Sequence, residues 1–158
     1  MLRRLLWMLP MTHGTTQAED EAPVRVMNIG HEGCTPGYWT HHLDSWREAA
    51  PGDLFSDTFS EGTSGALDGI TLERALAGSD DIGLPRAELT LARAATAALL
   101  NAAHEDVGYP WHRHSLGIDG RPPLVATVNE ALGSGSPGAI FALASRLDMD
   151  NNLDNPLV

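Results

Sequence analysis

The stretch Cys34-Thr35-Pro36-Gly37-Tyr38-Trp39-Thr40-His41-His42-Leu43-Asp44-Ser45-Trp46 holds the chain's single cysteine, two of its four tryptophans and two of its seven histidines. Thr35 is suited to cap a helix whose first residue is Pro36, because proline has no N–H to leave unpaired there and its φ is already helical. From that start Tyr38, Trp39, Leu43 and Trp46 keep large side chains on one face, while Asp44, Arg47 and Glu48 can face water. The spacing predicts a helix that buries its rings in a core and ends before the stop signal Pro51-Gly52-Asp53. His41 and His42 diverge by about 100° on such a helix, so they do not easily hold one ion, and one of them is expected to face inward.

Downstream, Leu54, Phe55 and Phe59 read as a loop that tucks aromatic rings inward, kept irregular by Gly62, Gly65 and Gly69. Thr71 can cap a short helix over Leu72 to Ala77, and Pro85 can open a long one through about His104. In the long helix, Leu89, Ala92, Thr96, Leu99 and Ala103 form a face small enough for neighbouring helices to approach closely. Two shorter helices follow, over Pro123 to Leu132 and, capped by Ser136 with Pro137 first, over Pro137 to Leu147. Upstream, Val24-Arg25-Val26-Met27-Asn28-Ile29 alternates in part like a strand but has no partner strand in the sequence. It is expected to be an extended tail or an arm that reaches another subunit. The architecture predicted is all-α: residues 34–158 form one domain of four to five helices with long ordered loops, preceded by an extended segment at 24–33 and a leader or linker at 1–23.

The chain of 158 residues, 42% hydrophobic and 20% charged, is large enough to bury a core without staples. Its net charge of -11 disfavours nucleic acid and anionic membranes, which gain no counterion release from so acidic a partner. Cations suit it better. No stretch reaches the roughly 20 apolar residues that span a bilayer. Met1-Leu2-Arg3-Arg4 followed by Leu5 to Met11 has the basic and apolar parts of a signal peptide, although Pro10 breaks a short apolar run, so secretion is expected. Cys34 alone makes neither an internal disulfide nor a Cys-x-x-Cys pair.

The quoted stretch resembles the opening of a family of secreted bacterial and archaeal modules of unknown activity. That family is marked by Cys-Thr-Pro-Gly-Tyr-Trp-Lys-Asn-His and by a close near Leu-Asp-x-x-Asn-Asn with a Cys-Pro-Leu-like end. The match continues through Leu99-Leu100-Asn101-Ala102-Ala103, Val128-Asn129-Glu130-Ala131-Leu132 with Gly133-Ser134-Gly135, Leu147-Asp148-Met149-Asp150-Asn151-Asn152 and Asn155-Pro156-Leu157, covering about residues 34 to 157. Thr40-His41 stands where the pattern has Lys-Asn, and Asn155 stands where it has its second cysteine. The disulfide that the resemblance implies therefore cannot form within this chain. The resemblance implies an extracellular, mostly helical, non-catalytic module and transfers no catalytic residue.

Near the end, Asp148, Asp150 and Asn152 follow the alternating oxygens of the first half of an EF-hand loop, and Asp154 can add a carboxylate. These four are the candidate ligands for calcium. Leu153 occupies the glycine position and the bidentate glutamate is missing, so the remaining oxygens have to come from elsewhere in the fold, from water or from a neighbouring subunit. The bland alternative is a helix end whose Asp and Asn side chains bond nearby backbone. His112 and His114 share a face if extended and offer two ligands to a transition metal, against the alternative of a surface loop with hydrogen-bonded imidazoles. There is no His-Glu-x-x-His, phosphate loop or Gly-x-Ser-x-Gly elbow. The neighbouring carboxylates Asp80-Asp81 and Glu105-Asp106 are expected to hydrate separately.

These readings predict a non-enzymatic extracellular protein that binds copies of itself, as a filament or tube stabilised by calcium. The first alternative is a metal-dependent hydrolase using His112, His114 and a carboxylate. The second is a surface-glycan binder with Trp111, Tyr109 and Trp46 as an exposed aromatic platform.

Overall fold

The computed structural model describes residues 25–60, 65–78 and 83–158. Among them are six α-helices: α1 (Pro36–Thr40), α2 (Phe55–Thr58), α3 (Leu72–Ala77), α4 (Arg86–Ala103), α5 (Leu124–Gly133) and α6 (Pro137–Asn151), with 3-10 turns at Leu43–Ser45 and Ile118–Gly120. The all-α class is as the sequence predicts, but the helices number six and not four to five. The expected leader at 1–23 and the pair Asp80-Asp81 lie outside the described residues.

α4 is the hub. Alanines and leucines surround it on nearly every side, and all its residues from Ala94 to Asn101 are buried. A helix that is apolar all round belongs at the centre of a core, and its small side chains let neighbours come close. α6 packs along it, and α1, α3 and α5 also contact it. Trp39, Phe55, Phe59, Leu72, Leu76, Trp111, Leu124 and Leu147 fill the space between these helices.

The three hydroxyl caps form where the sequence places them. Thr35 Oγ1 accepts from the Tyr38 N–H at 3.1 Å, Thr71 Oγ1 from Arg74 at 3.2 Å and Ser136 Oγ from Ala139 at 3.4 Å. The first helix, however, ends at Thr40 and does not run on to the 51–53 stop. His41 and His42 turn their Nδ1 atoms back onto the Gly37 and Tyr38 carbonyls at 2.9 and 2.7 Å, and the chain then turns through the 3-10 segment. This turn, not the helical period, carries Trp46 inward, where its Nε1–H donates to the Trp39 carbonyl at 3.1 Å. Both histidines are exposed, so neither faces inward as expected; His42 stacks on Tyr38 with ring centroids 3.9 Å apart.

Phe55 and Phe59 reach the core from a helical turn, α2, where a loop was expected. Paired bonds hold that turn to the entry of α3: Phe55 N–H to Ile70 O and Leu72 N–H to Asp53 O, each 2.8 Å. α6 is a turn longer than predicted and takes in Asp148 and Asp150.

The extended segment finds its partners within the chain. Gly30 and Glu32 donate to the Gly108 carbonyl at 2.8 and 3.2 Å, Gly33 donates to Asp154 O at 3.0 Å, and Glu32 pairs with Asp154 as a single parallel bridge. No strand ladder forms among the described residues, because these acceptors belong to a loop and to the chain's end.

Gly33 passes so close to α6 that a Cβ there would overlap the Asp150 carbonyl oxygen, whereas a Cβ on Gly52 meets nothing within 4 Å. Gly33→Ala is expected to destabilise the domain by about 2 kcal/mol or more, and Gly52→Ala by less than about 0.5 kcal/mol. Urea titration of both variants checks this; equal midpoints would contradict the close approach.

Candidate functional site

The residues that stand out in the sequence meet at one place, where the turn into α1 lies across the C-terminal halves of α4 and α6. Asn101 on α4 is fully buried and uses its whole amide. Its Oδ1 accepts from the Cys34 backbone N–H at 2.8 Å and from Trp39 Nε1–H at 3.1 Å. Its Nδ2 donates to Cys34 O at 2.9 Å and to Asn151 Oδ1 at 3.1 Å. Asn151, also fully buried, accepts from the Tyr109 hydroxyl at 2.7 Å and donates to Ala94 O at 3.0 Å. A buried amide left unpaired costs about 1–3 kcal/mol, so this network is stable only as a closed set.

A second layer surrounds it. Trp111 Nε1–H donates to Asp150 Oδ2 at 2.7 Å, and Arg121 donates to the same oxygen at 2.9 Å. The Arg121 and Arg146 guanidinium groups lie 5.6 and 5.1 Å from the Trp111 ring centroid. Burial first, and then the negative charge of Asp150, push the Tyr109 hydroxyl well above its usual 10, which keeps it a proton donor.

Cys34 is buried, and its thiol donates to Asn155 Oδ1 at 3.1 Å. Burial, with a smaller contribution from Glu32, pushes the thiol up to about 12. It therefore stays protonated near neutral pH.

The four candidate calcium ligands are set apart. Asp148 and Asp150 sit on a helix where a loop was expected, and their side chains diverge. Asp150 is committed to Trp111 and Arg121, Asn152 Nδ2 donates back to the Asp148 carbonyl at 2.7 Å, and Asp154 is exposed. Among the described residues no three His, Cys, Asp or Glu side chains come together as a metal site. His112 and His114 are both exposed, with His112 Nδ1 3.4 Å from Ser115 Oγ. Trp111, Tyr109 and Trp46 are all buried, so the expected aromatic platform does not exist: their ring N–H and O–H groups have partners inside, which makes burial affordable.

Glu32 was not singled out by its sequence context, yet it is buried and pins the arm. It accepts from the Asn28 N–H at 2.9 Å, from the Gly108 N–H at 2.7 Å and from the Arg25 guanidinium. No family model, curated protein or solved structure matches this chain.

The geometry gives two testable consequences. Asn155→Cys places a second sulfur beside the Cys34 thiol across a separation of 121 residues. Oxidation is expected to consume both thiols and to raise stability by about 2–4 kcal/mol, lost again in reductant. Thiol titration in denaturant reads the outcome; two free thiols after oxidation would show that the side chains do not meet.

The second consequence concerns acid. Burial raises the Glu32 carboxyl, but the hydrogen bonds from Arg25, Asn28 and Gly108 outweigh it and hold the group below its ordinary 4.5. His104 is held below 6.5, mainly by burial and then by Arg47, and its Nδ1 accepts from the Asp106 N–H at 3.2 Å. Both groups bind protons more readily in the unfolded chain, so their contribution is complete above the unfolded value and is lost as pH falls through the folded one. Melting temperature is expected to decline from about pH 6.5 downward and more steeply below about 4.5. Glu32→Gln should lower stability at pH 7 by about 1–3 kcal/mol and flatten the lower part of that decline. Thermal melts across pH check it, and an unchanged slope in the variant would remove Glu32 from the acid response.

Proposed function

We propose that this chain is a non-catalytic extracellular interaction module that assembles with copies of itself through its N-terminal arm. The observation that carries the reading is the arm's geometry. Glu32 and the Gly108 and Asp154 backbones fix its base, while Val26 and Ile29 are 87% and 62% exposed. Apolar side chains held in water from a fixed base gain by meeting another surface.

The motif residues support the non-catalytic part. Cys34, Trp39, Asn101, Tyr109 and Asn151 hydrogen-bond one another or nearby backbone in the core, which leaves their polar groups occupied. Export rests on the basic and apolar start of the sequence and on the family resemblance. An arm that meets a different surface of the next copy repeats as an open chain, which is the route to a filament or tube. Calcium enters as a bridge between copies, because the exposed carboxylates Asp148 and Asp154 need further oxygens from a neighbour.

Val26→Asp combined with Ile29→Asp changes exposed side chains and spares the core. The full chain is expected to assemble with rising concentration, the double variant to stay monomeric with an unchanged melt, and a calcium chelator to shorten the assemblies. Sedimentation and electron microscopy read all three. Identical assemblies from the double variant would refute the arm, and a native chain that stays monomeric at every concentration would refute self-association.

A further inference from the structure

Away from the arm and the amide network, a pocket of about 350 Å³ opens between the end of α2, the loop after Trp111 and the first turns of α5. Four polar side chains from these three elements line it: Thr58, Ser60, His114 and Asn129. Asn129 Oδ1 is buried and has no hydrogen-bond partner among the described residues. Among the described residues none of the four side chains makes a hydrogen bond that would use it up. A buried acceptor left unmet is costly, and the exposed Ser60 and His114 and the half-buried Thr58 line the same space with hydrogen-bonding capacity to spare, a set that an incoming molecule can complete.

The lining also selects the molecule's class. Pro123 and Val125 give an apolar wall, and no Asp, Glu, Lys or Arg lines the pocket among the described residues. Among the described residues, phosphates and carboxylates find no cation there apart from an imidazole, and metal cations find no carboxylate. Two hydroxyls that both donate and accept, an amide and an imidazole match the alternating hydroxyls of a neutral sugar ring, whose C–H face can rest on the apolar wall. The volume is at the small end of ligand sites and suits one or two rings.

We infer that this pocket binds a neutral saccharide unit, with the Asn129 side-chain amide, Ser60, Thr58 and His114 exchanging hydrogen bonds with its hydroxyls. This site is distinct from the buried Trp111, Tyr109 and Trp46, and it does not depend on self-assembly.

The test is an amide-resolved NMR titration of the full chain with N-acetylglucosamine and a panel of neutral mono- and disaccharides, with inorganic phosphate and calcium chloride as ionic comparators. Saturable shifts confined to the residues around Ser60, His114 and Asn129 are expected with at least one sugar. Asn129→Leu, close in size, should weaken that binding by about tenfold, and Ser60→Ala, at an exposed position, by a few fold. If Asn129→Leu lowers the melting temperature, Ser60→Ala alone carries the test. Absence of shifts with every sugar, equal binding by the folded variants, or a response only to phosphate or calcium would each overturn the inference.

Discussion

Two asparagine side chains, facing each other across the contact between the two longest helices, set the terms for the rest of this fold. Asn101 and Asn151 are wholly buried, and an amide in that position is tolerated only when every partner is present. Apolar packing between α4 and α6 would accept many small slides and rotations. The amide pair accepts one register, because a slide breaks its bonds to Cys34, Trp39, Tyr109 and Ala94 together. Hydrophobic burial drives the collapse, and the amides select which collapsed arrangement persists.

That selection explains why the chain's unusual residues lie far apart in sequence and close in space. The turn into α1 brings its backbone to Asn101, so Thr35 and Pro36 aim the chain as well as start a helix. The close approach of Gly33 to Asp150 and the thiol of Cys34 against Asn155 extend the seam to the chain's end. Asn155 Oδ1 lies 3.1 Å from the Cys34 sulfur, so a hydrogen bond and not a covalent link ties the two segments here. Stability therefore rests on the amides and on the Glu32 ion pair, which is sensitive to acid in a way that a disulfide is not.

Local signals in the sequence were legible to the extent that local physics decided them. Thr71, Pro85 and Ser136 marked helix starts to within a residue, because capping depends on neighbours three positions away. The periodic alanines and leucines of α4 identified the central helix. The end of α1 was not legible, because what halts it is the use of its last carbonyls by His41 and His42 and the return of Trp46 onto Trp39, and periodicity alone cannot distinguish that turn from a continuing helix. The oxygen pattern from Asp148 to Asp154 hid the end of α6 for a related reason. It fits a loop, but Leu147 and Asn151 have core partners that extend the helix through it. The amide pair did leave a trace: Asn101 is a polar residue inside an otherwise apolar helical face, a placement that requires a buried partner. The sequence could not say that the partner is Asn151.

The division between core and surface bears on where function resides. The distinctive residues Cys34, Trp39, Trp46, Asn101, Tyr109, Trp111 and Asn151 hold the molecule together and have their polar groups occupied. The groups left with capacity to bind lie elsewhere, in ordinary residues: the exposed apolar side chains of the arm, the carboxylates at the end of α6, and the hydroxyls, imidazole and amide around the pocket beside α5. A rigid interior with adaptable margins is what the proposed self-assembly would use. Surface residues can change without disturbing the amide register, and a change at Asn101 would disturb every surface at once.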